Sequence, residues 1–336
     1  MKTGKTWVYT ILIIAPLLIM FCSLFMGRYP LPMVEVAQII WCKILWLSCP
    51  FPDIHQVVVW EIRLPRAILA ALVGGSLAVS GACFQGLFRN PLVSSGILGV
   101  SSGAGFGAAL AIILFSHGAP VYLFAMVFGA VAVLCSFLIG RVYNTTPTIM
   151  LVLGGVIVSS VFSSLISLMK YLADPADQLP AIVFWLMGSL ASANYHDIFV
   201  AGIPMVIGMA GLCLIRWQIN VLSMGDREAQ TLGINTSLAK GLVIVFATMA
   251  TAGAVCVSGI IGWVGLVIPH IGRMLLGNDN KVLIPASISL GACFLILVDN
   301  IGRLLTGSEI PLGILTALIG GPFFVYLLKS TKGGGW

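Results

Sequence analysis

The sequence predicts an all-α membrane protein, a polytopic bundle of about ten transmembrane helices that forms a single domain over residues 1–336. Hydrophobic residues make up 59% of the chain and charged residues only 8%, whereas a soluble domain carries roughly 25% charged residues because water must wet its surface. The apolar runs are long and unbroken, without the alternation at every second residue that is typical of a membrane β-barrel. The single, scattered cations also exclude a nucleic-acid-binding face.

Each predicted span has about 20 residues, the helix length that crosses a hydrocarbon core of about 30 Å. The first runs from Trp7 to Met26 and is longer than the apolar core of a secretory signal. The others are predicted at residues 58–84, 93–115, 121–140, 148–169, 197–216, 238–258, 262–276, 282–303 and 310–328. A short apolar segment at about 180–190 is predicted to be re-entrant or interfacial. Because the 262–276 span is marginal, nine or eleven crossings stay open.

The distribution of Lys and Arg predicts the orientation of the chain. The side that holds the N-terminus, with Lys2, Lys5 and Lys332, receives eleven of these residues, and the other side receives six. Since cytoplasmic loops are enriched in Lys and Arg, both termini are predicted to lie in the cytoplasm, with the chain in the inner membrane. The orientation rule then leaves the six Lys and Arg residues on the outer side unexplained.

Small residues indicate close helix packing. Gly99, Gly103 and Gly107 repeat every four residues, which predicts a close helix–helix contact on one face.

The eight cysteines form no CxxC or Cys/His cluster, so no metal site is predicted. Cys42 and Cys49 share one predicted outer loop, and a disulfide between them stays open because spacing does not show geometry.

No catalytic residue is predicted. Gly99–Gly103 matches the GxSxG pattern of hydrolases, but it opens an apolar helix and not a strand-to-helix elbow. The chain has no complete nucleotide-binding signature, so any ATP and Mg²⁺ are expected on a separate subunit and no cofactor on this chain. Acidic residues cluster at span ends, which argues against an ion-coupled secondary transporter. That transporter and an intramembrane enzyme using Ser101 are the alternatives that stay open.

Two polar segments are candidate functional elements. On the fifth span, spacings of three and four residues place one set of serines on one side of the helix: Ser160, Ser163, Ser164 and Ser167. They either bond to backbone carbonyls or line a solvent-filled path, and both interpretations stay open. The stretch 225–233 is the most charged, and Asp226 to Leu232 is predicted to form a short cytoplasmic helix. It is either a solvent-exposed loop or a segment that inserts into a groove of a partner protein.

Eight segments, in the expected order, resemble the FecCD-type permeases, the membrane subunits of type II ABC importers. The resemblance covers nearly the whole chain and is carried by EIRLPR at 61–66, SGACFQ at 80–85, RNPL at 89–92, LGVSSGA at 98–104, the stretch 225–233, GWVGLVIPH at 262–270, DNIGR at 299–303 and EIPLG at 309–313.

The resemblance implies a homodimer of permease subunits with two ATPase subunits and a soluble substrate-binding protein. It implies a metal chelate as cargo, most of all an iron-siderophore, with haem, cobalamin and molybdate left open. It assigns coupling to the ATPase to a helix at about 225–235 that includes Gly225, Asp226, Arg227, Glu228, Ala229, Gln230, Leu232 and Gly233. It assigns binding-protein docking to Arg63, Arg66 and Arg303. It assigns the cytoplasmic gate to Asn90, Leu92 and Thr148. Our hypothesis is that the path follows the dimer axis and includes the serine-bearing span.

Overall fold

The structure is a computed structural model that describes residues 3–115, 119–141, 146–307 and 309–330. Lys2 and Lys332, which were counted for the orientation, lie outside the described residues. Within the described ranges the chain is helical and has no strand. The helices are α1 Thr3–Phe25, α2 Met33–Ile44, α3 Asp53–Val57, α4 Leu64–Phe88, α5 Val100–Phe115, α6 Ala119–Gly140, α7 Thr148–Leu172, α8 Gln178–Met187, α9 Tyr195–Leu214, α10 Arg216–Leu222, α11 Asp226–Thr231, α12 Thr236–Ser258, α13 Val264–Leu276, α14 Asn280–Leu305 and α15 Leu312–Ser330.

All ten predicted spans coincide with helices, and the predicted short segment coincides with α8. In the described residues, six helical segments are long and apolar enough to cross a membrane. The 13 residues of α13 rise only about 20 Å, less than the bilayer core, which agrees with the marginal character of that span. We call the face that carries α11 the inner face and the opposite face the outer face.

The structure corrects several span boundaries. The helix predicted at 93–115 starts only at Val100, because Asn90–Gly99 form turns after α4. The span predicted at 197–216 ends at Leu214, and a separate short helix, α10, follows it. In the predicted outer loop, α2 lies between α1 and α3. A π-helical segment, Val58–Arg63, then joins α3 to α4 without a break.

Helix α4 is the centre of the bundle. It packs against α14, α12, α9, α13 and α1, and most of its residues are buried. Gly74 allows a close crossing, since a Cβ there would lie 2.2 Å from the carbonyl oxygen of Gly291 on α14. Only a residue without a side chain permits this approach, which supplies the dispersion contacts that hold helices together in lipid.

Helices α5 and α6 form the second close pair. A Cβ at Gly103 would lie 2.4 Å from the carbonyl oxygen of Phe128, and one at Gly107 would lie 2.3 Å from that of Phe124. The small-residue face predicted for this span is therefore confirmed for these two glycines. Gly99 instead precedes the helix, with a φ of 86°, and faces Ser159 on α7.

Candidate functional site

A cluster of charged side chains joins the outer ends of α4, α14 and the connection to α15. Arg66 donates to Asp299 at 2.8 and 3.0 Å and to Oε1 of Glu309 at 3.0 Å. Nε of Arg303 lies 3.3 Å from Oδ2 of the same Asp299 carboxylate. Because Asp299 is 2% exposed, its charge is stable only with these two guanidinium groups beside it.

Two further arginines hold backbone carbonyls at the outer face. Arg63, in the π-helical segment, donates to the carbonyl oxygen of Leu24 at 2.8 Å and also to that of Tyr29. Arg28, after α1, donates to the carbonyl of Arg303 at 3.0 Å and to others in the α14–α15 connection. Sequence reasoning does not single out Arg28, because its acceptors are backbone atoms, which leave no sequence signal.

The three arginines predicted to dock a binding protein are thus engaged within the chain. Arg63, Arg66 and Arg303 are 3%, 6% and 7% exposed, and each guanidinium already has acceptors or an acidic neighbour. A partner carboxylate reaches them only if the outer face rearranges or if it adds to the cluster from its edge. Their docking role stays a prediction.

Glu309 is the accessible acid of this outer cluster. Burial raises the pKa of its carboxyl group, but the hydrogen bond and charge of Arg66, with the charges of Arg28 and Arg303, hold the pKa below its ordinary value. Since the folded-state pKa is lowered, the ionised carboxylate stabilises the fold above the ordinary Glu range. That contribution disappears as the pH falls through the lowered pKa.

The predicted cytoplasmic helix is α11, six residues long. Gly225 precedes it with a φ of 140°, and Gly233 follows with a φ of 79°, so glycine supplies both turns. Ala229 is buried, whereas most other side chains of the segment are exposed: Arg227, Glu228, Gln230 and Leu232. The helix therefore anchors one small residue and presents a charged, partly apolar surface.

Lys240 connects this helix to the spans. Its Nζ donates to Oδ2 of Asp226 at 2.6 Å and to the carbonyl oxygen of Thr146 at 3.0 Å, and the residue is 2% exposed. Thr146 lies two residues before Thr148, the first residue of α7. One buried ammonium group thus links α11, α12 and the start of α7. Sequence reasoning does not single out Lys240, although a Lys just inside an apolar span is a signal for it.

The predicted gate residues lie at the inner ends of α4 and α7. Oδ1 of Asn90 accepts the backbone N–H of Leu92 at 2.9 Å, and the Leu92 side chain is 52% exposed. The turns that follow pack on α7, where a Cβ at Gly155 would lie 2.2 Å from the carbonyl oxygen of Ile97. The loop that holds Asn90 and Leu92 therefore rests on α7.

The predicted serine face of α7 is exposed in the single chain. The hydroxyl groups of Ser160, Ser164 and Ser167 donate to carbonyls one turn back at 3.0 to 3.1 Å, and Ser163 is also exposed. These bonds satisfy the hydroxyl protons while leaving oxygen lone pairs for water or solute. The geometry accommodates both interpretations of this face, so the path assignment stays a prediction.

Metal and disulfide chemistry find no support in the described residues. No group of three or more His, Cys, Asp or Glu side chains there is placed to hold a metal ion. Cys42 and Cys49 are free thiols.

Comparisons with known proteins agree with this architecture. The model of the FecCD transport family matches residues 13–330. The molybdate import system permease protein MolB of Haemophilus influenzae is 41% identical over 313 residues, which cover 93% of this chain and 92% of that protein. A probable iron chelatin transport system permease protein of Helicobacter pylori is 43% identical over 279 residues, 83% of this chain and 84% of that protein.

A solved structure shares the fold over almost the full length. It is described as "an inward-facing conformation of a putative metal-chelate type ABC transporter" and is 38% identical, with a TM-score of 0.85. The match covers 96% of this chain and 99% of the other.

Proposed function

The chain belongs to the FecCD transport family, and we propose that it carries a metal chelate inward as one half of a homodimeric permease. It is a permease subunit of an ABC import system, as its relatives are. In the proposed assembly, two ATPase subunits bind the inner face and a soluble binding protein delivers the cargo to the outer face. The inner face is cytoplasmic, so both termini lie in the cytoplasm and the chain sits in the inner membrane.

The link from α11 through Lys240 to α7 is the observation that carries the proposal. An importer without a nucleotide site of its own must receive the free energy of ATP hydrolysis through a contact with another chain. The exposed face of α11 supplies charges and an apolar side chain, Leu232, 55% exposed, for such a contact. Displacement of α11 then acts on Lys240 and, through the Thr146 carbonyl, on the start of α7.

The gate follows from the same geometry. Helix α7 carries Thr148 at its inner end and the exposed serines along its length, and the loop with Asn90 and Leu92 packs against it. A shift of α7 therefore changes the inner opening and the wall of the path together. Neutral hydroxyl and amide groups let a large polar complex pass without being retained.

The cargo is the least constrained part of the proposal. The relatives' names include molybdate and iron chelatin, and the described residues offer no metal-ligating cluster. Selection among such cargoes therefore falls to the binding protein, with an iron-siderophore as our leading candidate. Haem, cobalamin and molybdate are the other cargoes to be tested.

Reconstitution into vesicles tests this function. Vesicles that contain the permease, its ATPase and its binding protein should accumulate the chelate that the binding protein retains. They should do so only when ATP is present on the side of the membrane that carries the ATPase. The permease alone should not accumulate it. Replacing Asp226, Arg227 and Glu228 by alanine should leave the protein inserted while ATP hydrolysis no longer drives uptake.

Two results would contradict the proposal. Uphill uptake by the permease alone, driven by a proton or sodium gradient, would identify a secondary transporter. Turnover of a substrate without partner chains, lost in Ser101→Ala, would identify an intramembrane enzyme.

A further inference from the structure

A cavity of about 400 Å³ opens at the inner face between the ends of α4, α13 and α14. We call it the inner basic cavity. Its polar lining includes two arginines and no acidic residue: Arg89, Ser223, His270, Arg273, Asn278 and Asn280. Such a lining, with positive charge and many hydrogen-bond donors, is complementary to an anion.

Arg273 is one of the two cations of this lining. Its Nη2 donates to Oε1 of Gln85 at 2.6 Å. Its Nη1 is inaccessible to solvent and has no hydrogen-bond acceptor among the described residues, so this atom does not face the open cavity. Arg273 therefore contributes its positive charge to the lining.

Arg89 is the second cation and is held in an unusual conformation. It ends α4 with a φ of 50°, in the left-handed region that non-glycine residues seldom adopt. Its side chain forms no hydrogen bond or ion pair with the described residues, although its Nη1 lies near Gly225, the residue before α11. A strained residue that leaves its charge unpaired beside a cavity indicates a binding role.

The start of α14 also borders the cavity. Asn280, the first residue of this 26-residue helix, lines the cavity and is 4% exposed. Its backbone N–H donates to Oδ1 of Asn220 at 2.9 Å, and Oδ1 of Asp279 accepts the N–H of Lys281 at 3.0 Å, so these N–H groups are already engaged. The Glu228 carboxylate lies against Gly225, near Nη1 of Arg89. The two arginines are therefore the groups that favour an anion here.

We propose that the inner basic cavity binds a phosphate-type oxyanion. Two arginine side chains in one lining are complementary to a phosphate, which accepts charge-assisted hydrogen bonds from guanidinium groups. The anion is the headgroup of an acidic lipid or a dissolved phosphate. Met274, which is 63% exposed, also lines the cavity, and its apolar surface beside the cations favours the lipid, since basic pockets between spans take such headgroups. The proposal concerns binding alone and does not depend on the transported cargo.

Binding to the full-length permease tests the two sources separately. In neutral detergent, radiolabelled orthophosphate is measured by equilibrium dialysis. In vesicles of phosphatidylcholine with or without phosphatidylglycerol, the retained acidic lipid is measured by native mass spectrometry. One of these ligands should bind at unit stoichiometry, and Arg273→Gln should weaken it at least about tenfold.

Two further variants make the test specific. Arg89→Asn suits the left-handed conformation and should weaken binding to a similar extent, so the test holds even if Arg273→Gln fails to fold. Arg216→Gln removes the same charge from an exposed position of α10 outside the cavity and should leave binding unchanged. Equal loss in Arg216→Gln would reduce the effect to diffuse surface charge and overturn the proposal. A lack of binding by both ligands would also overturn the proposal. The same holds if the variants lose association with the ATPase while anion binding does not change, because the cavity would then bind a carboxylate of the partner.

Discussion

At the scale of single residues, Arg66 and Lys240 show how this chain uses charge inside a membrane bundle. Each is at most 6% exposed, and each joins segments that are distant in the sequence. The two differ in the strength of their partners: Arg66 faces two carboxylates, whereas Lys240 faces one carboxylate and one carbonyl. Arg66 therefore stabilises the outer face, and Lys240 is placed to transmit motion from the inner face.

Arg66→Gln should destabilise the permease strongly. The substitution leaves the buried Asp299 with Arg303 as its only charged partner, and breaking one side of a buried ion pair costs about 3–5 kcal/mol. Glu309→Gln should cost less, because this side chain is 30% exposed. Thermal unfolding of the purified protein in detergent measures both, with the exposed Arg216→Gln as control.

Equal unfolding midpoints for Arg66→Gln and Arg216→Gln would refute this role. If Arg66→Gln is stable but the binding protein no longer associates, the arginine acts on the partner and not on the fold.

Lys240→Met should uncouple ATP hydrolysis from uptake. Methionine keeps the length and packing of the buried side chain but removes both hydrogen bonds, so α11 no longer pulls on the segment before α7. We expect uptake per ATP hydrolysed to fall about tenfold, within the usual range of coupling free energies. The measurement is uptake and ATPase activity in the same vesicles.

Lys281→Met is the matched control, because Lys281 is an exposed lysine on the same face. The double variant of Lys240→Met with Asp226→Asn should lose no more uptake per ATP hydrolysed than Lys240→Met alone, since both changes remove the same Lys240–Asp226 contact. Additive losses would mean that the two residues act separately.

At the scale of elements, the crossing of α4 and α14 lies at the centre of the bundle. It depends on Gly74 and Gly291, whose backbones approach until a Cβ would clash. Gly241 on α12 offers a contrast, because a Cβ there would meet nothing within 4 Å. The two positions thus separate the helix propensity of glycine from its packing role.

Gly74→Ala should lower the unfolding midpoint, whereas Gly241→Ala should leave it unchanged or raise it. Alanine stabilises a helix interior by about 1 kcal/mol relative to glycine, but at Gly74 its methyl group forces α4 and α14 apart. Thermal unfolding of both variants checks this. A stable Gly74→Ala protein would show that the crossing relaxes without loss.

At the scale of the whole molecule, the single chain leaves the serine face of α7 uncovered. In the proposed homodimer this face borders a water-filled path, whereas Ile203, an exposed apolar residue of α9, faces lipid. Ser164→Cys in a background without the native cysteines should therefore react with a membrane-impermeant thiol reagent, and Ile203→Cys should not. Reaction requires the thiolate, which forms in water and not in hydrocarbon.

Labelling kinetics in reconstituted vesicles supply the measurement. Equal rates at both positions, or no labelling at Ser164→Cys in any nucleotide state, would place the serine face in lipid.

The sequence by itself determined the membrane class, the ten helical segments and the charged inner helix. These follow from composition within windows of about 20 residues, because the cost of placing a segment in hydrocarbon depends on that segment alone. The inner end of the predicted third span was wrong by several residues, since Asn90–Gly99 are held by turns and by packing on α7, which composition does not report.

Only the tertiary structure decided which charges meet. Arg66 and Asp299 are 233 residues apart in the chain, and Lys240 and the Thr146 carbonyl are 94 apart. The inner basic cavity likewise draws its lining from α4, α10, α13 and α14. Such pairings depend on the register in which whole helices pack, and close backbone contacts between glycines on different spans set that register.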